Sequence, residues 1–416
     1  MKYINLILTI CLTISMVSCN DNNPNEIQPP ASINQISKNV VLPGEEITIT
    51  GTQLDSDIII EFNNIIIEPV SVGKTEITIK LPLDAYSGDL KISYNENSCK
   101  KFIKILDKGW NKIETNKSFS KIYFLENNIA YASIESDNGC HLYKSTDEGN
   151  NWVEILKSNE IKSHFLFTIA SNDVIYAQES NRLFKKSIDG GNTWSNLNIL
   201  STGYQFFDIY FVNENEGYLT ASKYNSITSN VEYFIMKTLD GGHSWNISIV
   251  YDSQEKLFNS KFIYNKGNHI YLYNKRTELI TFTDNGGGTW IQKKLEMNMP
   301  LLGKTLSIQD KNNIWLGGNG TQSFNIFKID DQKENFIYIN KIPLINNENI
   351  VSFKIIDEQK IYATSNKGAN YYTTNGGDTW KTFYLDKEVQ MNNVFFNKNM
   401  VLVFSNGYLY KKELSF

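Results

Sequence analysis

The stretch that decides the fold is Ser187-Ile-Asp-Gly-Gly-Asn-Thr-Trp194, because similar eight-residue phrases recur along the chain. Each copy begins with Ser or Thr, carries Asp or Asn at its third position and ends in Trp. The other four copies span 145–152, 238–245, 283–290 and 373–380. Successive tryptophans are 42, 51, 45 and 90 residues apart, and a degraded copy at 329–336 divides the last interval into steps of 46 and 44. A period in the forties indicates stacked repeats, each of which buries its core face against its neighbours.

Each period has the pattern of four short strands. In the third copy, apolar runs at 206–212 and 217–221 flank a turn, a third run spans 232–237, and a fourth run at 246–250 follows the phrase. Four antiparallel strands in about 45 residues is the pattern of a propeller blade. We therefore expect an all-β protein in which each phrase joins the third and fourth strands of a blade.

The two ends of the repeat region predict seven blades. Trp110 lies 42 residues before Trp152 and opens a short strand pattern that ends at Glu114. After Trp380 the chain supplies a fourth strand for the sixth blade, followed by three strands at 392–396, 400–404 and 408–412. The last sheet thus lacks an outer strand, and Trp110–Glu114 lacks a sheet. We expect the two to pair, because this closes the ring and removes exposed edges.

Residues 31–107 form a different all-β module. The turn Pro43-Gly44 precedes an alternating Ile/Thr strand that we expect to end at Gly51, and further short strand patterns follow at 58–62, 65–67, 76–81 and 90–94. This pattern predicts an immunoglobulin-like sandwich. The phrase from Pro43 to Leu54, with a later strand ending in Leu81-Pro82, resembles the IPT/TIG family. The resemblance implies a spacer or a protein contact.

The amino terminus is typical of an export signal. Lys2 gives a positive end, and the apolar run from residue 4 to 17 is too short to span a bilayer comfortably. The sequence Met16-Val-Ser-Cys19 resembles a bacterial lipobox, which implies cleavage before Cys19 and lipidation of its thiol. The alternative is an ordinary cleaved signal peptide. We expect a signal peptide at 1–18, a tether at 19–30, the sandwich at 31–107 and the propeller at 108–416, in an outer-membrane lipoprotein of the bacterial cell envelope exposed at the surface.

Composition excludes some functions. The net charge of −5 means that the chain lacks the excess of basic residues that is typical of a nucleic-acid-binding protein. Of the four cysteines, Cys11 leaves with the signal and Cys19 is the lipidation site. We expect the remaining two, Cys99 and Cys140, to be free thiols, because they fall in different modules.

The repeated phrase suits a structural hairpin. Its Asp carboxylate can accept backbone N–H groups across the turn, its glycine permits positive φ, and its Trp can cover the base of the hairpin. The phrase resembles the Asp box, or BNR repeat, of sialidases, sortilin-type receptors and the photosystem II assembly factor family. Asn at two copies keeps an acceptor oxygen but lacks the charge that a metal ligand or acid catalyst needs. We therefore predict a structural role, no metal and no cofactor for Asp147, Asp189, Asp240, Asn285, Asp331, Asn375, Trp152, Trp194, Trp245, Trp290, Phe336 and Trp380.

A sialidase is disfavoured by arginine content. Sialidases of this fold hold the substrate carboxylate with three arginines, whose planar bidentate hydrogen bonds Lys does not reproduce. This chain has two, Arg182 and Arg276. The alternative that stays open is a divergent glycoside hydrolase or lyase acting on a polysaccharide with two facing carboxylates, for which Glu179, Asp252 and Glu278 are candidates.

The main prediction is a binding protein without catalysis. Through phrases such as Phe207-Asp-Ile-Tyr-Phe and Glu216-Gly-Tyr-Leu-Thr, the second module is similar to the photosystem assembly-factor propellers, which implies a protein-binding, non-enzymatic ring. The expected ligand is a glycan or an envelope protein. The expected face lies opposite the box hairpins, with Tyr224 at the tip of a loop from 222 to 230 and Tyr204 and Tyr251 at nearby junctions between blades.

Overall fold

A computed structural model of the chain describes residues 32–54, 58–94, 97–125, 128–159, 165–180, 183–197, 203–251, 260–266, 268–274, 277–294, 302–310, 313–330, 335–344, 348–386, 389, 391, 393–397 and 400–414. Within these ranges every regular element is a β-strand. No helix in the described ranges is long and apolar enough to cross a membrane. The chain divides into two compact units, one comprising 1–108 with 382–387 and the other 109–381 with 388–416.

The first unit contains two β-sheets around one apolar core. Its strands are β1 (Ser32–Ile36), β2 (Val40–Val41), β3 (Glu46–Thr52), β4 (Ile58–Phe62), β5 (Ile65–Ile66), β6 (Pro69–Val72), β7 (Glu76–Lys80), β8 (Gly88–Tyr94) and β9 (Asn97–Ile105). One sheet has the order β1-β3-β7-β6, and the other has the order β2-β9-β8-β4-β5. In β3 the alternating Ile47 and Ile49 are buried, as period-2 patterning requires.

Gly51 was expected to end β3, and this was wrong. The strand continues to Thr52, and Gly51 pairs with Ile33 of β1. A Cβ at Gly51 would lie 1.9 Å from the carbonyl oxygen of Ser32. The glycine is therefore present because another backbone approaches closely, not because the strand stops there.

The second unit begins with β10 (Asn111–Glu114), and most of its strands follow in groups of four. They are β11 (Lys121–Phe124), β12 (Ala130–Ser136), β13 (Gly139–Ser145), β14 (Val153–Ser158), β15 (Phe167–Ile169), β16 (Ile175–Gln178), β17 (Phe184–Ser187), β18 (Ser195–Leu197), β19 (Tyr204–Phe211), β20 (Gly217–Asn225), β21 (Asn230–Thr238), β22 (Asn246–Tyr251), β23 (Lys261–Lys266), β24 (His269–Asn274), β25 (Leu279–Thr283), β26 (Ile291–Lys294), β27 (Leu302–Asp310), β28 (Asn313–Asn319), β29 (Ser323–Asp330), β30 (Asn335–Pro343), β31 (Ile350–Ile355), β32 (Ile361–Ser365), β33 (Ala369–Thr373), β34 (Lys381–Tyr384), β35 (Asn393–Asn397), β36 (Met400–Ser405) and β37 (Tyr408–Glu413).

Four-stranded sheets with sequential strand order make up the repeats. They are β11-β12-β13-β14, β15-β16-β17-β18, β19-β20-β21-β22, β23-β24-β25-β26, β27-β28-β29-β30 and β31-β32-β33-β34. In the third of these, Gly217–Asn225 pairs with Asn230–Thr238, which in turn pairs with Asn246–Tyr251. This up-and-down order is the arrangement of propeller blades.

One further sheet combines segments from the two ends of the unit. Its order is β10-β37-β36-β35, with Asn111 opposite Lys411 and Glu114 opposite Tyr408. The strand expected at Trp110–Glu114 therefore pairs with the last strand near the carboxyl terminus, although it begins at Asn111. The hydroxyl of Thr115 extends the pairing by donating to the carbonyl oxygen of Gly407 at 2.9 Å.

The core of this unit lies between adjacent sheets. Leu142 and Tyr131 of one sheet pack in a single cluster with Phe167 and Ile175 of the next. The second strand of each sequential sheet contributes one large buried aromatic at an equivalent position: Tyr131, Tyr176, Tyr218, Tyr271, Trp315 and Tyr362. Each sheet therefore depends on its neighbours to bury its aromatic side chain.

Candidate functional site

The repeated phrase forms a hairpin held by its first and third residues. In the second copy, Ser187 Oγ accepts the Gly191 N–H at 2.8 Å and donates to Asp189 Oδ1 at 2.8 Å. Asp189 Oδ1 also accepts the N–H of Thr193 at 2.9 Å, and Oδ2 accepts the Thr193 hydroxyl at 2.5 Å. The first and third copies repeat these contacts around Asp147 and Asp240. The role of the first Ser or Thr was missed by the sequence analysis, although its recurrence at one position was a visible signal.

These hydrogen bonds stabilise the ionised carboxylates. The Thr193 hydroxyl and N–H lower the pKa of Asp189 to about 2. The Asn151 N–H and side-chain amide likewise lower the pKa of Asp147, and the Ser244 hydroxyl and N–H lower that of Asp240. A carboxylate that accepts several N–H and O–H bonds binds its proton weakly.

The Asn copies keep the geometry but reverse one hydrogen bond. Asn285 Oδ1 accepts the Thr289 N–H at 2.9 Å, as an Asp would, while its Nδ2 donates to the Thr289 hydroxyl at 2.9 Å. Asn375 makes the equivalent contacts with Thr379 at 3.1 and 3.0 Å. In the degraded copy, Asp331 lies outside the described residues, as does the side chain of Phe336.

The tryptophans that end the phrases lie at the bases of the hairpins. Trp152 and Trp245 donate their indole N–H to the glycine carbonyl of their own hairpin, at 2.9 and 3.1 Å. Trp194 also donates to Ile155 O of the preceding sheet at 2.9 Å, and Trp290 donates to Ser248 Oγ of the preceding sheet at 2.9 Å. Trp380 is half-buried at the end of its own hairpin.

A lysine and a tyrosine connect each of several sheets to the next hairpin, and the sequence analysis missed this joint. Lys186 donates to Gly241 O at 3.4 Å, and the buried Tyr176 hydroxyl donates to the same oxygen at 3.1 Å. Lys144 donates to Gly190 O, Lys237 and Tyr218 both donate to Gly286 O, and Lys411 donates to Glu148 O at 2.7 Å. A lysine immediately before the first residue of three phrases was the signal that could have revealed it.

The tyrosines predicted to bind ligand lie on one sheet, at the end opposite its hairpin. Tyr204 begins β19 and pairs with Lys223, whose ammonium lies 4.8 Å from the centre of the Tyr204 ring. Tyr251 ends β22 and is half-buried, and burial raises its pKa to about 12. Tyr224 is exposed but is not at the tip of a loop. It lies in β20 opposite Val231, because both strands continue to the pair Asn225–Asn230.

A cavity of about 330 Å³ lies at the same end of the sheets. It is bordered by the first strands of three sheets, β11, β19 and β23, and by segments next to them. Its polar and aromatic lining includes Lys121, Tyr123, Glu135, Asp208, Tyr210 and Lys261. Tyr204 lies four residues before Asp208 on β19, so the predicted tyrosine is roughly 13 Å along the strand from the cavity wall. The sequence analysis missed this cavity, because its residues come from separate sheets and no residue type is repeated at the equivalent position of every sheet.

The carboxylates in the cavity are engaged by backbone groups. Asp208 Oδ1 accepts the Ile209 N–H at 3.1 Å, and Oδ2 accepts the Phe262 N–H of the neighbouring sheet at 2.8 Å. Glu135 Oε1 accepts the Phe165 N–H at 3.1 Å. These bonds fix the wall of the cavity and join strands of different sheets.

The two lysines keep hydrogen-bond donors for a ligand. Lys121 Nζ donates to Phe167 O at 3.2 Å and is hydrogen-bonded to the Tyr123 side chain, and Lys261 Nζ donates to Phe207 O at 2.7 Å. Because an ammonium has three donors, these bonds within the described ranges leave at least one donor on each lysine. Burial lowers the pKa of Lys261 and the nearby Lys121 lowers it further, although Asp208 and Glu135 act in the opposite direction. Burial also lowers the pKa of Lys121, but Tyr123, Asp208 and Glu135 more than offset this, so the net shift is upward.

Other candidate groups are dispersed. Glu179 forms an ion pair with Lys185 at 2.6 Å, and Asp252 lies outside the described residues. His141 contacts Glu154 at 2.8 Å, and His243 lies in a box turn. Among the described residues no three His, Cys, Asp or Glu side chains converge as a metal site would require. Cys140 is a buried free thiol and forms no disulfide with Cys99. Cys19 lies outside the described residues.

Comparison with known proteins identifies the fold of the repeats. The family model described as photosynthesis system II assembly factor YCF48 matches residues 186–310. No curated protein sequence matches the chain.

Solved structures give the same indication. The structure of YCF48 bound to D1 peptide has 14% identity and a TM-score of 0.56, covering 74% of this chain and 97% of that one. YCF48 from Cyanidioschyzon merolae has 15% identity and a TM-score of 0.53, covering 73% and 98%. The GH74 xyloglucanase from Xanthomonas campestris has 14% identity and a TM-score of 0.49, covering 73% and 53%. The first two likenesses show that the chain contains a β-propeller.

Proposed function

We propose that this chain is a membrane-anchored surface lipoprotein whose propeller binds a polypeptide without catalysis. The observation that carries the proposal is the cavity at the end opposite the box hairpins, where Lys121 and Lys261 keep donors available. The two ammonium groups in the cavity can donate to a hydrogen-bond acceptor of the ligand. An acidic side chain or a terminal carboxylate of a polypeptide fits that requirement.

The propeller is proposed to have seven blades in a closed ring. Neighbouring first strands are in contact from β15 through β19, β23, β27 and β31 to β35, and β35 contacts β11. Lys121 of β11 bridges the remaining step by donating to Phe167 O of β15. The bond from Lys411 to Glu148 O and the pairing of β10 with β37 support the same closure. In this arrangement the box carboxylates have a structural role, because they stabilise the hairpins.

The remaining parts of the proposal concern location. Residues 31–107 are proposed to be an immunoglobulin-like IPT/TIG spacer, which the two sheets around one core support. The lipobox-like sequence ending at Cys19 is proposed to anchor the protein in the outer membrane. Replacing Cys19 by Ala should abolish labelling by radioactive palmitate in the producing cell, and retention of the label would contradict the anchor.

A polypeptide is favoured over a glycan for two reasons. The described cavity offers charged lysines, whereas neutral sugars are bound mainly by aromatic faces with polar hydroxyl partners. In addition, the propeller named above as similar in fold was solved with a bound peptide. Glycan binding and polysaccharide cleavage are therefore outcomes that the test must be able to detect.

The test is selection from a displayed library of random 16-residue peptides, followed by affinity measurement with two matched variants. Lys261→Met removes a positive charge in the cavity. Lys186→Met removes a positive charge at the end of the sheets that carries the Asp-box hairpins, which we call the box end. A charge-assisted hydrogen bond contributes about 1.5–3 kcal/mol, so Lys261→Met should weaken binding by about tenfold or more. Lys186→Met should leave the affinity within twofold.

Three outcomes would overturn the proposal. The first is enrichment of no peptide, and the second is equal loss of affinity in both variants. The third is retention on a glycan array with release of a shortened product, which would favour the hydrolase or lyase alternative.

A further inference from the structure

The hairpin formed by β20 and β21 extends beyond the cavity end of its sheet. Both strands have nine residues, and their pairing continues to Asn225 opposite Asn230. At its base, Lys223 lies over the ring of Tyr204, and that ring packs edge-on against Phe234 with centroids 5.7 Å apart. The hairpin is thus supported where it leaves the sheet.

The turn at the end of this hairpin is ordered by its own side chains. Asn225 Oδ1 accepts the N–H groups of Ile227 at 2.9 Å and Thr228 at 3.3 Å. The Asn225 amide donates to Glu232 Oε1 at 2.7 Å across the strands. An ordered turn loses less conformational entropy on binding than a flexible loop would.

This ordered turn exposes apolar side chains. Ile227 is 92% exposed and Tyr224 is 59% exposed. Because both side chains stay largely exposed, their apolar surface is available for burial against a partner. Between residues 224 and 231 there is no charged side chain. A rigid, uncharged tip that presents an aliphatic and an aromatic group is typical of a protein contact point.

We propose that Tyr224 and Ile227 form a second contact, which selects a large apolar side chain in the polypeptide bound at the cavity. This inference rests on the proposed function. Tyr224 is adjacent to Lys223, which pairs with Tyr204, and Tyr204 lies four residues from Asp208. The distance from Asp208 to Tyr224 is therefore roughly five residues of strand, or about 17 Å. An extended ligand spans it in about five or six residues.

The ligand is thus a polypeptide with an acidic group and, about five or six residues away, a large apolar group. The acidic group lies between Lys121 and Lys261, and the apolar group packs on Ile227 and Tyr224. A lipid surface is less suitable as the occupant, because Lys223 is the single cation between residues 222 and 232, and the tip is also flanked by Glu232. Interfacial binding to anionic lipid needs a larger apolar face together with several basic residues.

The experiment uses the same 16-residue peptide library with a matched pair of substitutions. Ile227→Asp alters the tip, while Leu239→Asp alters an aliphatic residue that is 65% exposed at the opposite end of the same sheet. Selected peptides should share an acidic residue and an apolar residue at the stated spacing. Ile227→Asp should weaken their binding at least tenfold, and Leu239→Asp should change it less than twofold. Inserting two residues between the two peptide positions should also weaken binding about tenfold.

The outcomes separate this inference from the function on which it rests. If Lys261→Met abolishes binding while Ile227→Asp and Leu239→Asp are both neutral, the tip is not a contact although the cavity is. If Lys261→Met has no effect, the proposed function itself fails. If the full chain sediments with phosphatidylethanolamine–phosphatidylglycerol vesicles and Ile227→Asp prevents this, the tip contacts lipid and the proposed peptide contact is wrong.

Discussion

The two ends of the propeller sheets differ in how far their residues repeat from one sheet to the next. At the box end the same contacts recur, with Ser or Thr, Asp or Asn, and a lysine from the previous sheet at equivalent positions. At the cavity end the position repeats but the residue does not: Lys121, Asp208 and Lys261 occupy equivalent register positions of three sheets, which carry Lys, Asp and Lys there. Repetition therefore specifies the architecture, and departure from repetition marks the surface where we propose that a ligand binds.

The largest expected effect is on stability at the box end. Tyr176 is fully buried, stacks on Phe211 with ring centroids 3.7 Å apart and bonds to the next hairpin. Tyr176→Ala should lower the free energy of unfolding by about 3–5 kcal/mol, measured by urea denaturation. At the other end, Tyr224→Ala should change it by less than about 0.5 kcal/mol. Equal losses would remove the distinction between the ends.

Two glycines with similar backbone angles provide a smaller and closely matched comparison. Gly191 at the box end has φ +93°, and Gly203 at the cavity end has φ +101°. Alanine at either position costs about 1–2 kcal/mol in backbone strain. A Cβ at Gly191 would also lie 2.5 Å from Ile155 Cδ1, whereas at Gly203 the nearest atom is 3.7 Å away.

The Gly191→Ala variant should therefore lose about 1–3 kcal/mol more of its free energy of unfolding than the Gly203→Ala variant. Thermal unfolding of the two variants under one buffer measures the difference. Indistinguishable melting temperatures would mean that the box hairpin is less tightly packed than its contacts indicate.

The next effect concerns binding at alkaline pH. Burial and the neighbouring Lys121 lower the pKa of Lys261, so Lys261 loses its charge at a lower pH than an ordinary lysine. Affinity for an acidic peptide should fall by about tenfold as pH rises from 7 toward 10.5, because one charge-assisted bond is lost. Fluorescence anisotropy of a labelled peptide measures the profile.

The control for this profile is Lys121→Met. Removing the Lys121 charge removes a repulsion, so the pKa of Lys261 should rise and the decline, normalised to the value at pH 7, should move to higher pH. A decline that moves to lower pH would contradict the assigned proximity of the two lysines.

The smallest effect is acid sensitivity at the box end. The pKa values of Asp147, Asp189 and Asp240 are lowered in the folded state, to about 2 for Asp189. Their contribution to stability is therefore present above their unfolded pKa of about 3.9 and is lost as pH falls toward 2. The triple change to Asn, which Asn285 and Asn375 already show to be compatible with the hairpin, should reduce the fall in melting temperature between pH 5 and 2.5. A steeper fall in the triple variant would be inconsistent with these shifts.

Much of the fold was predictable because the phrase carries its own structural information. Its turn residues make bonds within four positions of one another, as in Asp240 with Ser244, so no distant information was needed. The pairing of the segment near Trp110 with the carboxy-terminal strands followed from counting strands. The β-propeller, the all-β class and the similarity to assembly-factor propellers were confirmed.

The candidate site was less predictable. Lys121 and Lys261 are 140 positions apart, and only the packing of first strands from different sheets brings them to one cavity. Nothing in either local sequence distinguishes them from surface lysines. Tyr224 was correctly placed at the end opposite the boxes, but its strand setting depends on pairing that continues to Asn225, which composition alone does not indicate.

The sheet that unites β10 with β37 also has a kinetic consequence. Its two partners, such as Asn111 and Lys411, are separated by 300 residues, so forming it requires closure of nearly the entire intervening chain. Contacts of such long range form slowly, and the strand at 111–114 stays unpaired until a partner about 300 residues later in the chain has been synthesised. During early folding, the unpaired strand at 111–114 is therefore exposed to proteases and to pairing with another chain.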